Sequence, residues 1–166
     1  MKLEAGQTGE VLLRDMSEQD LPILFEHQID PEACEMAAFA ARERDVFMEH
    51  WTEILADETV DRKTILFDGQ IAGYMVSFER GGKRQVGYWI GKTFWGKRIA
   101  TRALAVFLDC VDSRPLYAYV AKHNVGSLRV LKRCGFAIDG EGLVPCEEGG
   151  PEIEEFILKL GPDSGS

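Results

Sequence analysis

The stretch GYWIGKTFWGKRIATRALAVFLD, from Gly87 to Asp109, constrains this chain more than any other. Tyr88, Trp89 and Ile90 are strand-forming residues, and beyond Ile99 the apolar residues Ala100, Ala103, Leu104, Phe107 and Val111 recur at helical spacing. The loop between them holds two glycines and three cations. A strand that turns directly into a helix opens a ligand crevice at its carboxyl end. A loop of this make-up can hold a phosphate, form a solvated turn, or be a degenerate nucleotide-binding motif.

The nucleotide motifs fail on chemistry. Gly91-x-x-x-x-Gly96-Lys97-Arg98 lacks the hydroxyl that a phosphate loop uses to hold magnesium, and no G-x-G-x-x-G occurs. A pyrophosphate site without a metal survives. The first amides of a helix starting near Arg98 have no intrahelical partners and sit at a positive dipole end. Lys97, Arg98 and Arg102 add charge beside them. The competing reading is a basic surface turn.

The rest of the chain frames this unit. Glu10–Met16 reads as a first strand, and Ser17 with Asp20 three residues on reads as a helix start. The pattern is helical from Pro31 to Asp57, with Phe47, Trp51, Ile54 and Leu55 on one face. Lys63–Arg80 is a hairpin around Asp68-Gly69, and the strand ending at Gly91 completes a meander. Pro115–Val120 reads as a strand, followed by a helix capped by Asn124 and stopped by Gly135. A short strand from Phe136, an acidic Gly-rich loop over Gly140–Gly150 and a last strand over Glu152–Leu160 follow. The expected architecture is a single α/β domain over residues 1–161, with a disordered tail at 162–166. Its mixed sheet joins an antiparallel meander to a parallel β-α-β crossover, with helices on both faces.

With 166 residues the chain can bury one sizeable core. No apolar run approaches the roughly 20 residues of a membrane span, and the N-terminus carries no secretory pattern. Cys34, Cys110, Cys134 and Cys146 lie far apart without a C-x-x-C pair, so thiols in a reducing, cytoplasmic setting are expected and no metal site is suggested. The net charge of −9 argues against general nucleic-acid binding. Residues 1–61 carry 4 Lys/Arg against 16 Asp/Glu, whereas residues 92–133 carry 9 against 2. Such a split suits a protein that grips an anion in one region and admits a cation at another.

Three linked motifs then carry a family resemblance: Tyr88-Trp89-Ile90-Gly91, Trp95-Gly96-Lys97-Arg98-Ile99-Ala100-Thr101, and Asn124-x-x-Ser127 closing on Cys134-Gly135-Phe136. The segment Val86–Phe136 resembles the acetyl-CoA core of the GCN5-related N-acetyltransferases (GNAT), and is most similar to the branch typified by the bacterial ribosomal-protein (Rim-type) enzymes. The chain departs from that pattern in having Arg98 where the family's loop has Gly. It also lacks a glutamate on the strand before Asn124, and it has Val130 and Leu131 where many relatives place a tyrosine.

The resemblance implies a GNAT-like fold and transfer of an acetyl group from acetyl-CoA to a primary amine, by direct attack in a ternary complex. It implies that backbone around Trp89 and Ile90 polarises the thioester carbonyl and pairs with the pantetheine arm. It implies that Trp95, Gly96, Lys97, Arg98, Ile99, Ala100 and Thr101 hold the phosphates, and that Asn124 binds the arm while capping its helix. Ser127 is open to three roles: donor to the leaving sulfur, contact to the arm, or second helix cap. Glu79 and Tyr119 are candidate bases for the amine, beside an ordered water relay. The acidic N-terminal helices favour a cationic amine, a protein N-terminus or a small polyamine. The expected partners are acetyl-CoA and that amine, with no nucleic acid and no membrane, the protein acting as monomer or homodimer. A non-catalytic acetyl-CoA-binding module is the alternative.

Overall fold

A computed structural model describes residues 9–144 and 152–161. Seven strands form one sheet in the order β1-β2-β3-β4-β5-β7-β6. β1 (Val11–Asp15), β2 (Asp61–Phe67), β3 (Gln70–Arg80) and β4 (Lys83–Ile90) are an antiparallel meander. The β2–β3 hairpin turns on Asp68 and Gly69, both at positive φ, as a tight two-residue connection requires. β4 joins β5 (Leu116–Ala121) in parallel through the crossover helix α4 (Ile99–Cys110). α5 (Val125–Arg133) leads to β6 (Ala137–Val144), and β7 (Ile153–Leu160) inserts between β5 and β6.

Alternation along β3 separates two cores. Ala72 and Met75 pack with Ile99, Leu104 and Phe107 of α4 and Leu131 of α5. Val76 and Tyr74 pack on the other face with Leu21 and Leu24 of α1 (Leu21–Gln28) and Phe47 and Trp51 of α3 (Arg44–Ala56). Fully burying each of the larger apolar side chains contributes about 1.5–3 kcal/mol over leaving it exposed.

Asp20 anchors the N-terminal edge. It is 2% exposed and accepts from Arg14 Nη1 and Nη2 at 2.8 and 2.7 Å, from Thr64 Oγ1 at 2.7 Å and from the Ser17 N–H at 3.0 Å. Burial pushes its carboxyl up, but these bonds outweigh it, and the group titrates below the usual carboxylate value.

Two expectations are corrected. The helix read over Pro31–Asp57 is two helices, α2 (Pro31–Ala37) and α3. Ala38 ends α2 in the left-handed region at φ 55°, and Phe39 then packs edge-on against Trp89, 5.5 Å between ring centroids. The loop read from Gly140 is strand as far as Val144, because Gly140 and Gly142 pair with Ile157 and Glu155 of β7. The remainder of that loop, and the C-terminal tail, lie outside the described residues.

Candidate active site

The site begins where the sheet opens. β4 and β5 register at Gln85–Tyr117 alone, so among the described residues β4 beyond Gln85 has no strand on that side. A bulge in β3 bends the sheet at the same level: Ile65 pairs with Gly73 and Leu66 with Ile71, which leaves Ala72 as the extra residue. Only glycine fits at 73, since a Cβ there would sit 2.0 Å from the Trp89 carbonyl oxygen. Gly91 donates its N–H to Ala72 O in β3 at 2.8 Å, and the Trp89 carbonyl faces Gly73. By alternation the Ile90 N–H and C=O point to the open edge.

The loop after β4 folds back on that edge. Trp95 Nε1 donates to Ile90 O at 2.9 Å, and the Ile90 N–H, turned to the open edge, has no strand partner among the described residues. Gly96 and Arg98 both have positive φ, 81° and 62°. Arg98 is the N-cap of α4 and offers no side-chain bond to the helix. Among the described residues, the amides of Ile99, Ala100 and Thr101 therefore have neither an intrahelical acceptor nor a side-chain cap. At α5 the opposite holds, because Asn124 Oδ1 accepts from the Ser127 N–H at 3.2 Å.

These elements enclose a cavity of about 480 Å³. Its walls include Trp89 and Ile90 from β4, then Trp95, Gly96 and Arg98 from the loop. Ile99, Ala100 and Thr101 come from α4, and Asn124 and Ser127 from the start of α5. Sequence reasoning nominated all of these. Lys97 is exposed and outside the wall. Arg102 points away from it, donating from Nη2 to Gly9 O at 2.8 Å.

The two candidate bases are not in the wall. Glu79 pairs with Arg84 at the far end of β4, six residues before Ile90 and thus roughly 20 Å away. Tyr119 is 37% exposed. It shares with Trp89 the sheet face opposite α4 and α5, because its neighbours Ala118 and Val120 belong to the α4–α5 core.

Sequence reasoning missed a second set of wall residues. Gly126, Arg129, Val130 and Arg133 form one stripe of α5 at helical spacing from the Asn124 cap, which a helical projection would have revealed. Among the described residues, neither Arg98, Arg129 nor Arg133 is in an ion pair, whereas Lys92 is bound to Glu32 at 2.6 Å. Tyr88 also lines the cavity, and its hydroxyl lies 2.7 Å from Ser127 Oγ. Burial pushes that phenol up to about 12, although the Ser127 bond pulls the other way. Met36 and Ala37 of α2 form the opposite rim.

Behind the loop, His27 packs against Gly91, where a Cβ would come within 2.7 Å of its ring. Its Nδ1 is buried without a partner among the described residues, and its carbonyl accepts from Trp89 Nε1 at 3.3 Å. Burial holds its imidazole below the ordinary histidine value, against a smaller opposing effect of Glu26.

Residues 10–137 match the acetyltransferase (GNAT) domain model. The spermidine N(1)-acetyltransferase of Escherichia coli (strain K12) is 27% identical over 143 residues, spanning 79% of this chain and 75% of that protein. A solved probable acetyltransferase superposes with a TM-score of 0.76 at 22% identity, over 92% of this chain and 93% of the other. An aminoglycoside acetyltransferase AAC(6')-Ib, solved in complex with coenzyme A, gives 0.73 at 19% identity over 92% and 95%. Among the described residues no helix is long and apolar enough to cross a membrane. The chain belongs to the GNAT acetyltransferase family and is an acetyl-CoA-dependent N-acetyltransferase.

Proposed function

We propose that this enzyme acetylates a primary amine on a cationic partner, a small polyamine-like molecule or a protein N-terminus, by direct attack in a ternary complex. The observation that carries the reading is the divergence of β4 from β5 beside the uncapped start of α4. An open strand edge, three helix-start amides and three arginines without an ion pair among the described residues meet in one cavity, and that combination suits a long arm ending in phosphates.

Acetyl-CoA supplies an activated acyl carbonyl and a sulfur leaving group. The free Ile90 N–H is the donor suited to polarising the carbonyl, and the Tyr88–Ile90 edge accepts the arm as a strand would. Ile99, Ala100 and Thr101 hold the pyrophosphate with their amides, while Arg98, Arg129 and Arg133 add charge. Asn124 keeps the α5 start rigid. Ser127 donates to the leaving sulfur. The amine sheds its proton to water, with Tyr119 on the acceptor side of the sheet as the nearer of the two side-chain candidates.

A cationic acceptor is supported by the acidic balance of residues 1–61, of which Leu21–Ala56 hold α1–α3 on the face that carries Trp89. The relatives named for spermidine and aminoglycosides act on polycationic amines of the same class. The motifs Tyr88–Gly91 and Asn124–Phe136 keep the ribosomal-protein branch as a competing acceptor assignment. The thiols of Cys34, Cys110 and Cys134 are free, which fits a cytoplasmic enzyme. One sheet with a core on each face supports a single domain over residues 1–161.

Free-thiol release from acetyl-CoA, measured against spermidine, an aminoglycoside and a peptide with a free N-terminus, tests the reading. Turnover above hydrolysis with at least one cationic amine is expected. Tight acetyl-CoA binding with no turnover on any of them would leave a binding module instead.

A further inference from the structure

The pair formed by Tyr88 and Ser127 crosses from β4 to α5 on the cavity wall, and the family match assigns nothing to it. Its 2.7 Å separation is at the favourable distance for an O–H···O bond. The phenol is far more acidic than an aliphatic hydroxyl, so the phenol donates and the serine oxygen accepts. A serine in the first turn of a helix commonly bends back to a carbonyl three or four residues earlier. No such bond is made among the described residues, since the only partner of Ser127 Oγ is Tyr88. The serine backbone is held as well, by Asn124.

We propose that Tyr88 is a positioning residue for Ser127, receiving nothing from it and fixing its oxygen, so that the serine proton is presented to the sulfur of the bound thioester. The proposal rests on the donor role of Ser127 given above. In the step it serves, the amine nitrogen forms the C–N bond, the C–S bond breaks and its electron pair stays on sulfur. Ser127 stabilises that thiolate by hydrogen bonding without giving up its proton. The sulfur takes a proton from water, and the amine nitrogen loses one to water. Each hydroxyl in such a chain polarises the next, so the serine is a better donor with the phenol behind it than alone. The phenol stays neutral through the working range, because burial pushes it up to about 12.

The test is a double-mutant cycle of Y88F and S127A, with kcat and acetyl-CoA KM measured on the panel amine that gives the fastest turnover. Y88F is expected to lower kcat about tenfold with KM within about twofold, a loss confined to the reacting state. On the S127A background Y88F adds nothing further. Independent multiplication of the two losses, or a Y88F effect that falls on KM alone, overturns the proposal. An S127A enzyme with unchanged kcat removes the donor role itself and the proposal with it, which separates the two failures. Calorimetric acetyl-CoA binding fixes the folded fraction of each variant. If Y88F folds poorly, 2,3-difluorotyrosine at position 88 replaces it. That residue keeps the ring and the bond, and near-wild-type kcat is expected, whereas a tenfold loss overturns the proposal.

Discussion

Trp95 bonds back to Ile90 across the loop that separates them, indole Nε1 to carbonyl oxygen at 2.9 Å. The indole is thereby held against the strand end. The bond also occupies the Ile90 carbonyl, so the free group of that residue is its N–H.

Replacing Trp95 with Phe removes this tether and leaves the ring. Loss of one hydrogen bond of about 1 kcal/mol predicts acetyl-CoA binding weaker by about fivefold. Calorimetry on the variant checks it, and unchanged affinity would mean that the loop is held by its backbone alone.

Arg98 stands in the left-handed region at φ 62°, where a side chain costs about 1–2 kcal/mol and glycine costs little. R98G is therefore expected to raise Tm by roughly 2–4 °C while weakening acetyl-CoA binding through the lost cation. A thermal melt and a titration on the same sample separate the two effects. A variant that is both less stable and unchanged in affinity would show that Arg98 works by packing.

Arg129 and Arg133 line the cavity from α5 without a carboxylate partner among the described residues. The R129A/R133A double variant is expected to bind acetyl-CoA about tenfold or more weakly at low ionic strength. The difference from wild type should shrink as salt is raised, because exposed charge is screened over about 8–10 Å. A salt-independent loss would point to a change in α5 rather than to charge.

His27 gives a pH signature. Its folded-state imidazole is held below the ordinary value of 6.5, chiefly by burial, so the unfolded chain binds protons more readily. The stability that this contributes is complete above pH 6.5 and is lost as pH falls below it. Tm is expected to drop as pH falls below about 6.5, and H27F to flatten part of that slope. His50, also held down first by burial, supplies part of what remains.

The strand–loop–helix unit was legible because the apolar period changes from two to 3.6 across two glycines, and the ends of α5 were signalled by Asn124 and Gly135. The break at Ala38 was not legible, since alanine is the best helix former and nothing local opposes continuation. What decides it is Phe39 finding Trp89, a contact across the fold. A strand was read from Phe136 but ended at Gly140 on composition, and pairing with β7 carries it on to Val144. Tyr88 stood inside a recognised motif, yet its partner Ser127 lies 39 residues on and meets it only when α5 packs on the sheet. Glu79 was nominated from the end of its strand, and only the pairing of the meander shows that this end lies away from the cavity.

The arm of acetyl-CoA is expected to lie along the open edge of β4, with its phosphates on the start of α4. The most direct measurement is a crystal structure with coenzyme A, read for distances from the pyrophosphate oxygens to the amides of Ile99, Ala100 and Thr101. Separations of about 2.7–3.2 Å, with the arm paired along Tyr88–Ile90, are the predicted result. Coenzyme A held elsewhere, or phosphates bound to side chains with those amides left to water, would contradict it.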